Sequence, residues 1–520
     1  MSLKTISIPA AALMLSIAAS AQTYYVDPAN GFDFPGFGQL NLPFKSITFA
    51  ASQAVGGSTP LTINLFPGDY SAASGEVFPI LLFEEVTVQA LQACSVNIRH
   101  RSNAGALATP AMQLTMSASG TAAYFADLRF VGNQQGLVVE VLDGDHDITM
   151  DRVETEILAS ASANSGIGRH VIANGVTGQA FINYAEFGCQ SRDGSIGSWF
   201  ETGGDGFFFG FVANHYTGGI NALQSSEGFR LETDGFGEME LSFGNCIFQK
   251  HLRGIETRRL SAAMYLLTEH CAFHNNGLVT FVQQQGGPGM QVISGGAIDE
   301  VVGQVDTMAV INSAFWANAV DLPDYSTGTY SDSDNVIQDP ALIGSNGNVG
   351  GDPMWVAPGQ ADFHILPGSP CRNAVYASLD FDYDSDDRTV ACASMGDIGP
   401  DESFDADHYI RGGNLVPINS TATIGVYGDG GSVAVVVTGQ PTGLVCGVPV
   451  DIATVTNLLA PFFMPGSPGA REFTTATLAV PNTATLIGQS LPVAAAFVNN
   501  PAGIPTLQVS PNLRTVLFCK

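Results

Sequence analysis

The sequence predicts an all-β protein: a right-handed parallel β-helix with a short N-terminal capping helix and a small C-terminal antiparallel β-sandwich. Two observations carry this. Short stretches of one texture recur, each a hydrophobic pair or triplet, a turn residue, then Asn, Gly or His: Phe125 to Asn133, Ile148 to Val153, Tyr184 to Cys189, Phe243 to Phe248, Thr268 to Asn276 and Ile311 to Asn318. Phe248 to Phe273 is a step of 25 residues, and Phe130 to Val153 and Phe187 to Phe211 are steps of 23 and 24. A period of roughly 20 to 30 residues built from short alternating strands suits a solenoid, whose coils bury their apolar sides only against one another. The second observation is composition: 59 glycines in 520 residues, with frequent Asn and Ser and scarce Lys, favour many tight turns over many helices.

The elements follow in order. Met1 to Ala21 reads as a signal peptide, with Lys4, an apolar stretch from Ile6 to Ala19 and small residues at Ala19 and Ala21. It is too short for a membrane span, and no transmembrane segment is expected later, so the protein should be secreted or held at the cell surface. Tyr24 to Asp27 alternates as a strand, and residues 28–43 form a turn-rich loop. Residues 44–54 form a helix with apolar positions 44, 47, 50 and 54 on one face, placed to cover the open end of the first coil. Strands are expected at Leu61 to Leu65, Ile80 to Phe83, Val86 to Gln89 and Val96 to Arg99, and the repeat runs on to about Val320. Insertions are expected in the glycine-rich, aromatic and acidic stretches at 205–211 and 228–240, and between Phe273 and Phe315, which lie 42 residues apart. The polar segment 339–402 reads as the last coil and its closure, giving a β-helix domain over 22–402. From Arg411 onward only seven side chains are charged, and alternation at Ser432 to Val437, Thr474 to Leu478 and Thr515 to Phe518 marks a separate sandwich over 411–520.

Nineteen basic residues against forty-eight acidic ones give a net charge of -29, which repels nucleic acids and anionic membranes. Eight cysteines in an exported chain permit disulfides. Cys371 with Cys392 and Cys446 with Cys519 are the favoured pairs. Cys246 and Cys271 stand one period apart, as a buried thiol ladder or as a disulfide between coils.

Three constellations carry potential chemistry. Lys250, Arg253, Arg258 and Arg259 put four basic residues within ten positions, a natural seat for a carboxylate or sulfate. The period places His251 beside Asn276 and His270 beside Asn245, with His274 close by. With Arg253 these histidines could supply the cation and base of a β-elimination, or simply pair with Glu238, Glu240, Glu256 and Glu269 on a solvated face. Glu201, Asp205, Glu232, Asp234 and Glu238 form the second group, in which two carboxylates could serve glycoside hydrolysis while Trp199, Phe207, Phe209 and Tyr216 stack on sugar or fill the core. In the third, Asp382, Asp384, Asp386 and Asp387 alternate like the start of a calcium loop. They lack the Gly and Glu of an EF-hand, so the run is expected either to hold Ca2+, the one cofactor suggested, in a loop of another type or to be a hydrated end-cap pairing with Arg388. No zinc spacing, phosphate loop or nucleophile elbow is present.

Tyr24 to Asp27, Leu42 to Thr48, Ile63 to Tyr70 and Phe78 to Ile80 resemble the N-terminal segment of secreted bacterial parallel β-helix proteins of the DUF1565 type, relatives of pectate-lyase-like enzymes. Asp382 to Arg388 followed by Asp397 to Gly399 is similar to the end of such helices. Pro481, Asn482 and Leu486 to Gln489 resemble a C-terminal β-domain of exported planctomycete proteins. The resemblance implies a fold and secretion. No stretch matches, residue by residue, a lyase's calcium ligands and catalytic arginine. The expected function is therefore binding of extracellular polysaccharide or cell envelope, with a lyase or hydrolase on an acidic glycan, or a structural and adhesive role, as alternatives.

Overall fold

The computed structural model describes residues 22–400 with breaks, the longest at 380–395, and from Tyr409 onward the strands alone. The chain forms a right-handed parallel β-helix with three faces. On the first face Gln22–Val26 pairs with Leu61–Leu65, which pairs with Val86–Ala90, and the stack continues through Thr121–Ala126 and Gly144–Asp151 to Thr329–Ser333. The second face begins at Gly68–Ser71 and reaches Ala314–Trp316. The third runs from Ile80–Phe83 to Ile298–Val302. Two long strands, Ile167–Arg192 and Ile196–Thr217, each pass round all three faces.

Alternation decides which side chains enter the core, and stacking then repeats them along the axis. Tyr216, Phe248, Phe273 and Phe315 lie in register on the second face with rings nearly parallel, 5.2, 5.0 and 4.7 Å apart. The 25-residue step from Phe248 to Phe273 is thus one coil. The two shorter steps are not: Phe130 pairs with Thr155 and Phe187 with Ala213, so the true coils are two residues longer than the matched hydrophobics suggest. Phe273 and Phe315 are neighbours because an antiparallel hairpin, Thr280–Gln283 with Met290–Ile293, is inserted between them.

The recurring Asn, Gly and His residues belong to the corners. Asp127, Arg152, Gly188, Asn245, His270, Asn312 and Asp334 all turn the chain with φ between +51° and +60°. From Cys189 onward, residues at these corners offer small side-chain acceptors to the coil before. Val153 N–H donates to Cys189 Sγ, Cys189 N–H to Asn214 Oδ1, Asn214 N–H to Cys246 Sγ, Cys271 N–H to Ser313 Oγ and Ser313 N–H to Asn335 Oδ1. Cys246 and Cys271 are therefore buried free thiols of this ladder and not a disulfide. Burial raises the pKa of the Cys246 thiol well above its usual range and keeps it unreactive. At the next corner His251 N–H donates to Asn276 Oδ1, whose Nδ2 donates to Phe248 O and Asn318 Oδ1.

The capping helix is Ile47–Ser52, shorter than expected because Asp33 accepts from Lys45 N–H and Ser46 N–H and holds the preceding residues extended. Ser46 caps it through Phe49 N–H, and Glu76 takes Ile47 N–H and Thr48 N–H. At the other end the segment expected as the last coil departs from the solenoid. Coil-like bridges run from Ala314 through Val336 to Val349. The antiparallel pair Trp355–Ala357 and Asp362–Ile365 then packs outside the second face, where Trp355, Phe363, Ile365, Cys371 and Val375 cover Ile247, Ala272 and Ala314 in a second apolar core. Cys371 is a free thiol there, and Cys392 lies outside the described residues. The C-terminal strands form two largely antiparallel sheets, one of Tyr409–Gly412, Thr421–Asp429 and Arg471–Ala479, the other centred on Val433–Thr438 and Ser490–Asn499. Cys446 lies outside the described residues, so its pairing with Cys519 does too.

One charged pair interrupts the core. Arg169 and Glu186, both fully buried, are 2.9 Å apart, with Arg169 also donating to Ser198 Oγ and Val153 O, and Tyr184 Oη to Glu186. Arg169→Ala strands Glu186 among apolar groups and should cost about 3–5 kcal/mol in urea unfolding. Arg169→Met with Glu186→Leu should recover most of that, and equal losses in both variants would absolve the pair. Asn276→Ala leaves His251 N–H and Phe248 O without their partner and is expected to cost about 1–3 kcal/mol in the same assay. No loss would mean that the corner ladder does not hold the coils in register.

Candidate functional site

The third face gathers what the sequence left scattered. Its outward positions form two columns on successive rungs about 4.8 Å apart. One column holds Val138, His170, Trp199, Arg230, Glu256 and Asp299; the other holds Glu140, Ile172, Glu201, Glu232 and Arg258. A glycine column, Gly136, Gly168, Gly197, Gly228 and Gly254, runs beside them because the coils approach closely there. A Cβ on Gly228 would lie 2.6 Å from the Gly254 carbonyl oxygen.

Trp199 lies between its rung neighbours. His170 stacks on it at 4.4 Å and 16°, and the Arg230 guanidinium sits 5.0 Å from its ring centroid. With His170 and Arg230 packed against the ring, it does not form the sugar-stacking platform expected of it. His170 Nε2 also contacts Glu201 Oε2 at 3.1 Å.

The arginines are matched by carboxylates. Arg230 makes a two-point contact with Glu227 at 2.7 and 2.8 Å. Arg253 reaches Asp299 at 2.5 Å and Glu256 at 2.9 Å, and Arg258 grips Glu256 through Nε. Glu227 and Glu256 are buried beside one another, with their side chains in contact. Burial, with Glu256 adding to it, raises the Glu227 carboxyl to about 7, whereas Glu256 is held below the usual range by Glu227 and the arginines against its own burial. In the exposed column Glu232 is raised by burial and by Glu201 on the adjacent rung.

The other expected site residues lie elsewhere. His251 is buried in the corner before Arg253, its pKa lowered by burial to about 4. His270 is buried at a first-face corner against Asn312. His274 lies beneath Trp355 and Phe363 on the second face, also lowered by burial to about 4. Lys250 turns a corner with φ +60°, and Arg259 pairs with Asp306 at 2.9 Å. Asp205 and Asp234 are exposed at the turn between the third and first faces, while Glu238 stands on the first face beside Phe207. Tyr216 and Phe248 fill the core. Asp382, Asp384, Asp386 and Asp387 lie outside the described residues, among which no group of three or more His, Cys, Asp or Glu is placed to hold a metal ion. Arg230, Glu227, His170 and Asp299 were missed because coil lengths vary here. Only the glycine column marks the register.

Residues 29–131 match the DUF1565 family. That family is described as a protein of unknown function, and the DUF1565 segment covers the N-terminal loop, the capping helix and the first coils. No curated protein matches the chain. Among solved structures, the crystal structure of tailspike protein 3 of bacteriophage CBA120 is similar at 12% identity and a TM-score of 0.21, covering 60% of this chain and 61% of the tailspike.

The raised Glu227 carboxyl gives a pH test. Glu227 is raised when folded, so its contribution is present at acidic pH and is lost as pH rises from its ordinary value through about 7. Urea midpoints of the wild type should fall over that window, and the Glu227→Gln variant should fall less. An unchanged slope in the variant would place the proton elsewhere.

Proposed function

We propose that this is a secreted or cell-surface β-helix protein that binds extracellular polysaccharide along its third face. The observation that carries the reading is the column of Glu201, Glu232 and Arg258. It presents partly exposed hydrogen-bonding groups on three successive rungs, beside Trp199 and His170. Rung spacing is comparable to the length of one hexose unit, so a linear polymer can repeat its contacts from coil to coil. The signal-peptide pattern of Met1 to Ala21 supports export.

The geometry favours binding over β-elimination at the basic cluster. An elimination needs an accessible base beside the cation. His251 and His270 are buried at corners, His274 lies under Trp355 and Phe363, and Arg253 is occupied by Glu256 and Asp299. Affinity electrophoresis of the purified protein through gels containing soluble polysaccharides tests the reading. Retardation without new reducing ends or unsaturated products is expected, weakened about tenfold in the Glu201→Ala, Glu232→Ala double variant. Turnover would overturn the binding account in favour of an enzyme, and retardation unchanged in the double variant would move the site off this face.

A further inference from the structure

The charge accounting of the third face says which polysaccharide fits. A run of four basic residues in ten positions looks like a polyanion site in the sequence, yet the structure matches every guanidinium on or beside this face. Arg230 is held by Glu227, Arg253 by Glu256 and Asp299, Arg258 by Glu256, and Arg259 by Asp306. A uronate or sulfate would have to displace these carboxylates, two of which, Glu227 and Glu256, are buried beside one another with their side chains in contact. Removing a partner from such a cluster leaves an uncompensated charge and is costly.

Of the partly exposed groups in the outward column, Arg258 is already charge-matched by Glu256, which leaves Glu201 and Glu232 as acceptors. Glu201 is 31% exposed, and Glu232, partly exposed on the next rung, has no ion pair within 4 Å among the described residues. Glu232 can accept from a pair of neighbouring hydroxyls, as two oxygens suit two vicinal O–H donors, and Glu201, whose Oε2 contacts His170 at 3.1 Å, can accept through its other oxygen. A polyanion would bring like charge to this pair and to a protein of net charge -29. We infer that the third face takes a neutral, hydroxyl-rich polysaccharide and turns away polyuronates and sulfated glycans. This rests on the polysaccharide-binding reading above.

The test is affinity electrophoresis in parallel gels of neutral polymers (mixed-linkage β-glucan, xyloglucan, galactomannan and dextran) and of polygalacturonate and alginate. Retardation in at least one neutral gel and in neither polyuronate gel is expected. Glu201→Gln with Glu232→Gln keeps shape while removing charge and exchanging one acceptor oxygen in each for an N–H donor, and should weaken the neutral interaction by about tenfold. Glu201→Lys with Glu232→Lys should abolish it and create retardation by polygalacturonate. Circular dichroism of each variant shows whether it remains folded. Wild-type retardation by polyuronates alone would overturn the neutral specificity and leave polysaccharide binding standing. Retardation in none of the gels would overturn both.

Discussion

Parallel stacking imposes one constraint on this protein from which its other features follow: a residue on one coil must live beside the residue at the same position on the next. Inward, the constraint is met by columns of like apolar groups, with Tyr216, Phe248, Phe273 and Phe315 as the aromatic example. Stacked rings at that spacing add attraction beyond burial alone. At the corners the backbone N–H groups turn away from the strand ladder and need another acceptor, since an unpaired buried donor costs about 1–3 kcal/mol. Cysteine, asparagine and serine alternate in that column because each offers a short side-chain acceptor. The cysteines are there for reach and size rather than for redox chemistry.

The same constraint sorts what was legible in the sequence. Columns of large apolar residues repeat visibly, so the solenoid, the capping helix and the coil from Phe248 to Phe273 could be read directly. Corners were legible as texture: Asn245, His270 and Asn312 stand out because few residue types turn a chain at positive φ. Coil length was not legible where it varies. Trp199, Arg230 and Glu256 share a column at unequal steps, so the pairing of Arg253 and Arg258 with Glu256, close by in the chain, could be expected, whereas Glu227 with Arg230 and Asp299 with Arg253 were missed. The described part of 355–375, expected within the last coil and its closure, was placed wrongly for a different reason. Its apolar residues are few and spaced as a coil's would be, and only the apolar outer positions Ile247, Ala272 and Ala314 reveal that the second face needs cover.

Outward columns meet the constraint in another way. Like charges on adjacent rungs repel, so a charged column must alternate sign, take up protons or be bound from outside. On the third face Arg230 next to Glu256 is alternation, and the raised carboxyl of Glu227 beside Glu256 lowers their mutual repulsion by taking up a proton more readily. Glu201 above Glu232 does not alternate. Their repulsion contributes, after burial, to the raised pKa of Glu232. Glu201 contacts His170 at 3.1 Å, and Arg258 on the next rung acts against the rise without forming an ion pair with Glu232 among the described residues. Stability alone would favour a cation or a neutral side chain at one of the two positions. A local conflict of this kind, set in a face otherwise balanced charge for charge, is where the hydroxyl donors of the proposed polysaccharide would relieve it.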